Sequence, residues 1–276
     1  MPRSGPISLS LPQFTGTTRR LVLANVGVFF ALGLLHWIAP GLEGLVLRLL
    51  VLQPMMVAHG AVWQLGTYAF VNEGILGILF GMLTLWFTGS MLEGAMGSRW
   101  VAELYGVSVV GAAVLAAAIS STGVFGLGPD AFAIGAWAGI FGLLMAIAMK
   151  FGDQEFLLWF VLRIKAKYMV AIYILIAVAV LLKGGDRFGA LLQLSGALCG
   201  YMFVRFAPRR GLAGGVSEGY FGVRNEFYRW KRRRAARKFE VYMRRQNREV
   251  HFDKDGRYVE PNEPVGRDPN DKRWMN

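Results

Sequence analysis

Six apolar stretches, each about long enough for a helix to cross a lipid bilayer, constrain this chain more than any other feature. They are 21–39, 70–92, 100–120, 131–151, 166–182 and 188–207. A hydrocarbon core takes about 20 apolar residues of helix at ~1.5 Å rise each. Inside lipid every backbone polar group must also be bonded internally, which helices achieve alone. With 54% hydrophobic and 17% charged residues over 276 positions, the chain is too apolar for an ordinary soluble domain. The expected fold is an all-α polytopic membrane protein: a short segment 1–20, a six-helix transmembrane bundle over 21–207, and a basic tail over 208–276. No small-residue cleavage site follows the first stretch, so it reads as a retained signal anchor.

Charge separates the tail from the bundle. The net charge is +12, and from Pro208 onward 18 Lys and Arg face 10 Asp and Glu, so +8 of it lies in the tail. Arg3, Arg19 and Arg20, the link with Arg163, Lys165 and Lys167, and the run from Lys231 to Arg234 all fall on one side of the predicted bundle. By the positive-inside rule both termini are expected to be cytoplasmic, in a bacterial inner membrane. The first loop, 40–69, is too long for a simple turn. Its apolar run "LEGLVLRLLVLQPMMV" and its Trp63 and Tyr68 suit a structure lying in the membrane interface.

Beyond "RRGLAGGVSEG", a flexible linker by composition, residues 220–250 place Phe221, Tyr228, Ala235, Phe239 and Tyr242 near one helical face. Arg229, Lys231, Arg232, Arg233, Arg234, Arg237 and Lys238 surround it. This predicts an amphipathic helix on anionic headgroups. The simplest reading of the cations is positive-inside charge, and nucleic acid is not an expected partner. The end, from His251, is turn-rich and reads as mostly unstructured, although "KDG" between "EVHF" and "RYVE" has the chemistry of a small hairpin.

Several motifs recur in a familiar order. "VWQLGTYAF" approaches the second span, "GMLTLWFTGSMLEGAMGSRW" carries Gly89, Glu93 and Gly97, "GAWAGIFGLL" opens the fourth span, and "RIKAKYMVAIYIL" enters the fifth. Together they resemble the rhomboid family of intramembrane serine proteases over about 19–206. The resemblance implies a serine nucleophile on the fourth span, a histidine base on the sixth, and oxyanion donors on the second. Matched position by position, Trp137 stands at the nucleophile and Ala138 at the Gly after it. Gln193 stands at the histidine and Ser195 at the first of a following Gly pair, in "LLQLSGALCG". Gly77 and Gly81 occupy the two oxyanion positions, and Asn72 replaces another frequent histidine.

No other residues restore the chemistry. The three histidines are His36 at the end of the first span, His59 in the first loop and His251 in the tail. Lys150 and Lys183 lie at span ends, and the indole of Trp137 has no acid-base chemistry near neutral pH. The lone Cys199 permits no intrachain disulfide and reads as a small buried hydrophobe. No catalytic residue, metal or cofactor is therefore expected.

The remaining signals have plain structural readings. Gly135, Gly139, Gly142, Gly196 and Gly200, with Gly77 and Gly81, suit close helix crossings of any kind. On that view leucine at Gly77 or Gly81 overpacks the second span. Trp137 reads as core filler, Glu93 as a hydrogen-bond acceptor, and Gln193 as a polar group needing a partner, for which the Trp137 indole is one candidate. The functional expectation is a rhomboid-like pseudoprotease that binds transmembrane segments of other proteins. Its rivals are a rhomboid serine endopeptidase with an unusual nucleophile such as Ser195, and a membrane anchor acting through the tail.

Overall fold

The computed structural model describes residues 14–72, 74–124, 126–128, 130–158 and 162–207, with 230–231, 234–236, 239–240, 243, 250–252 and 258–259 in the C-terminal part. The chain divides into two compact units, Met1–Leu212 and Ala213–Asn276.

The first unit is mostly helical. Among the described residues five helices are long and apolar enough to cross a membrane: α1 (Gly16–Ile38), α5 (Ile75–Met96), α6 (Ser98–Ser120), α8 (Ala166–Lys183) and α9 (Arg187–Phe206). Between them lie α2 (Pro40–Leu50), α3 (Pro54–Ala58), α4 (Gln64–Thr67) and the shorter apolar α7 (Trp137–Phe151). The predicted fourth span begins six residues too early. Residues 131–136 stay out of the helix: Leu52 and Ala133 exchange backbone hydrogen bonds, each 3.1 Å, and the chain then bends at Gly135. At 15 residues α7 is about 22 Å long, and it is enclosed by α5, α6, α8 and α9.

Local chemistry sets the element ends. Pro40 and Pro54 open α2 and α3, where a missing N–H costs nothing. The Asp186 carboxylate accepts from the Gly189 amide at 2.8 Å and caps α9. Gly97 alone joins α5 to α6 at φ +90° and ψ 156°, a conformation open essentially only to glycine.

The first loop departs from the interfacial expectation at Tyr68. Its helices are each too short to span, and Trp63 is half exposed, donating to the Leu49 carbonyl at 2.9 Å. Tyr68, by contrast, is fully buried and donates its hydroxyl to the Val109 carbonyl at 2.8 Å. The loop folds back into the bundle because it can satisfy its own polar groups there. Gln64, 1% exposed, donates to the Arg48 carbonyl and accepts from the Gln53 amide.

Two hairpins depart from a purely helical fold. In the first unit β1 (Glu155–Leu158) pairs antiparallel with β2 (Leu162–Lys165), and Asp153 and Lys167 join beneath them at 2.8 Å. In the second unit β3 (His251–Phe252) pairs with β4 (Tyr258–Val259), the hairpin that "KDG" suggested within a stretch read as mostly unstructured. Of the predicted tail helix, residues 230–231, 234–236, 239–240 and 243 are helical, and Arg234 lies 5.4 Å from the Trp230 ring. Arg229, Arg232, Arg233, Arg237 and Lys238 lie outside the described residues, whereas Lys231 and Arg234 are exposed.

Candidate functional site

The centre of the first unit is built by missing side chains. A Cβ on Gly142 would lie 2.0 Å from the Ser108 hydroxyl, and one on Gly200 2.6 Å from the Gly142 Cα. A Cβ on Gly196 would meet the Ala138 carbonyl oxygen at 2.2 Å, and one on Gly139 the Tyr105 ring at 2.3 Å. These glycines bring α7 against α6 and α9 at backbone distance, which is how helices pack in lipid without a hydrophobic driving force. Gly135 precedes the helix at φ +106°, its amide donating to the Tyr68 carbonyl at 3.0 Å.

Trp137 is the first residue of α7. Its partly buried ring packs with Tyr173 and Leu194 against a small cluster of Phe141, Ala177 and Ala197. Gln193 is half-buried on α9, and Ser195 is 5% exposed. No hydrogen bond joins Trp137 to Gln193, so the indole is not the partner of this amide.

Among the described residues no histidine or lysine side chain hydrogen-bonds a serine. His36 meets Glu43 at 2.6 Å, and His59 bonds the Met55 carbonyl at 2.7 Å. The Ser90 and Ser108 hydroxyls are buried with no partner among the described residues, as are the Tyr105 hydroxyl and the Trp86 indole N–H. A serine in that state has no group to take its proton. Among the described residues no group of three or more His, Cys, Asp or Glu side chains is placed to hold a metal.

The second span corrects the close-packing expectation. A Cβ at Gly77 or Gly81 would meet nothing within 4 Å. Gly77 is exposed and Gly81 is buried, but neither brings a neighbouring helix to backbone distance. Asn72 points elsewhere: its Nδ2 donates to the Asn25 Oδ1 at 2.8 Å.

Gly89, Glu93 and Gly97 form a cradle for the start of α1. The Glu93 carboxylate accepts from the Thr17 amide at 2.8 Å, the Thr18 amide at 3.1 Å and the Thr18 hydroxyl at 2.7 Å. A Cβ on Gly89 would come 2.7 Å from the Thr18 hydroxyl, so this glycine leaves room for that threonine. Ser98, next to Gly97, accepts from the Thr17 amide at 2.9 Å. A carboxylate facing the free amides of a helix N-terminus is favoured by both hydrogen bonding and the helix dipole.

Two polar residues of this framework, Asn25 and Gln64, were not singled out by sequence reasoning, and a third, Tyr68, was read as interfacial. Asn25 is fully buried on α1 and donates to the Leu21 carbonyl at 2.9 Å; its only signal was an amide within an apolar run. Gln64 and Tyr68 sat in a loop read as interfacial. Burial pushes the Tyr68 phenol well above its usual range, so it remains a neutral donor.

Comparison with known proteins decides the class. A family model described as "Eukaryotic integral membrane protein (DUF1751)" matches residues 21–230, which takes in most of α1 and all of α2 to α9. The chain belongs to this family. It is thus an integral membrane protein in contact with lipid. The family is described as eukaryotic, which overturns the expectation of a bacterial inner membrane. No curated protein matches the chain.

Proposed function

We propose that this protein is a rhomboid-like membrane protein without protease chemistry, which holds transmembrane segments of partner proteins. The observation that carries the reading is Trp137. A bulky ring packed at the first turn of α7 fills the position where the resemblance expects a nucleophile, and no histidine or lysine meets a serine among the described residues. Membrane hydrolysis by serine needs a nucleophile, a base within hydrogen-bond reach and oxyanion donors together. Trp137, Gln193, and Gly77 with Gly81 stand at the positions of all three. On this reading the shorter helix α7 is a sixth, central span.

A binding role has support in the outer surface. α5 and α8 both pack on α7 and scarcely on each other. Ile75, Leu76, Leu79 and Leu83 on α5, and Ile172, Leu175 and Ile176 on α8, are exposed. Such a gap admits an apolar helix from the side, and the small residues of α5 allow close approach.

Two measurements test the proposal. The purified protein is expected neither to cleave model transmembrane substrates nor to react with fluorophosphonate probes. Trp137→Ser with Gln193→His restores weak labelling at most, because Gly77 and Gly81 offer no side-chain donors. Labelling at any serine of the wild-type chain, or cleavage lost on Ser195→Ala, would overturn the inactive reading in favour of an endopeptidase. For binding, photocrosslinkers at Leu79 and Ile176 are expected to capture membrane helices, and one at Val114 on α6 is not. Equal capture at all three positions would defeat the lateral site.

A further inference from the structure

A second site lies away from α7, between the last turns of α1 and the first-loop helix α2. It is a cavity of about 570 Å³, within the range of pockets that hold small ligands. Phe29, Leu32, Leu47, Val51, Val71 and Phe132 supply apolar wall, and His36, Glu43 and Arg48 gather toward the α2 side.

The polar groups are not equivalent. Glu43 is occupied, its Oε2 2.6 Å from His36 Nδ1. Among the described residues the Arg48 guanidinium has no carboxylate or hydrogen-bond partner, and its backbone carbonyl accepts from Gln64. An arginine is always charged, and its planar fork suits the oxygens of a phosphate. Along α1 the cavity runs from Phe29 to Trp37, about 12 Å of helix. Gly33 faces it, and a Cβ there would meet nothing within 4 Å.

We infer that this cavity binds one glycerophospholipid, with its phosphate at Arg48 and an acyl chain along α1 past Gly33. The cavity belongs to an integral membrane protein, so acyl chains surround it at high concentration. Their transfer from bilayer to an apolar wall gains little, because lipid tails are as apolar as the wall itself. Discrimination therefore falls to the headgroup, and the free cation selects the phosphate. A transmembrane peptide would satisfy the apolar wall but leave Arg48 unpaired. The inference is independent of the proposed pseudoprotease role, since it uses no residue of the α7 site.

The test is native mass spectrometry of the delipidated full-length protein with added phosphatidate, diacylglycerol or glycerol phosphate. The expected result is retention of one phosphatidate, with diacylglycerol and glycerol phosphate each bound at least tenfold more weakly. Arg48→Gln should weaken phosphatidate binding about tenfold, and Gly33→Phe, which fills empty space, should weaken it as well. Arg99→Gln at the other end of the bundle should leave it unchanged. Both binding-site variants should melt like the wild type, because the Arg48 guanidinium has no polar partner among the described residues and a Cβ at Gly33 would meet nothing within 4 Å. Equal retention of diacylglycerol would remove the phosphate from the inference, and equal binding of glycerol phosphate would remove the chain. Unchanged binding in Arg48→Gln would overturn the site. Capture of a hydrophobic peptide in preference to phosphatidate would overturn it as well.

Discussion

Helices α7 and α1 are both apolar, yet they are held by opposite means. α7 has nine buried residues, all of them apolar or glycine. α1 is longer by eight residues and has only two buried, Thr18 and Asn25, both polar. The inner helix is positioned by shape, through glycines that let backbones touch. The outer helix presents most of its apolar surface outward and is pinned at two polar points. The difference follows from the solvent. Where lipid is as apolar as a leucine side chain, burying leucine gains little, so a helix needs either close packing or a hydrogen bond to hold its place.

The largest effect should come from spoiling the shape. Gly196→Val puts a branched side chain against the Ala138 backbone, where nothing flexible can move. We expect a loss of about 3 kcal/mol, the upper part of the usual range for overpacking, read as a large drop in detergent melting temperature. An unchanged melting temperature would mean that α7 and α9 are not held at backbone distance.

Breaking a pin should be milder and more local. Glu93→Ala leaves the Thr17 and Thr18 amides without their carboxylate, at a cost of about 2 kcal/mol. Hydrogen exchange should rise over the first turns of α1 while α7 amides keep their protection. If both helices lost protection together, the two would not be separately held and the contrast would fail.

The second pin is smaller. Asn25→Leu removes the bond with Asn72 and should cost about 1 kcal/mol, in line with interhelical hydrogen bonds in membranes. Combining it with Asn72→Leu should add little beyond either single change. Fully additive losses would show that the two amides act separately.

The smallest effect is expected where neither device operates. Gly77→Leu adds a side chain to an exposed position with open space around its Cβ. Melting should stay unchanged or rise slightly, because leucine favours the helix over glycine. A fall of several degrees would reveal a neighbour packed on this face of α5.

The same contrast explains which features were legible beforehand. Apolar runs are long, continuous signals, so the helices were readable to within a few residues, except where the Leu52–Ala133 pairing unwound the start of the fourth stretch. The replacements at Trp137 and Gln193 were readable because each motif is short and local. Their surroundings were not. Gly77, Gly81, Gly196 and Gly200 look alike as letters, but only the latter pair meets backbone across a helix crossing. Nothing in the spacing separates a glycine that admits a neighbour from one that faces empty space.

What the amino-acid sequence by itself determined is the class of solvent and the chemistry on offer: helices long enough for lipid, cations concentrated in the tail, and no histidine within a span except His36 at the end of the first. Those properties are additive along the chain and survive any arrangement of it. What only the tertiary structure decided is which groups meet. Glu93 finds Thr17 and Thr18 across about 75 residues of chain, Tyr68 is drawn from a loop into the core, and the Arg48 guanidinium is left beside a cavity with no partner among the described residues. Such pairings depend on helix positions in three dimensions, set by contacts between distant glycines, and no local stretch of sequence carries that information.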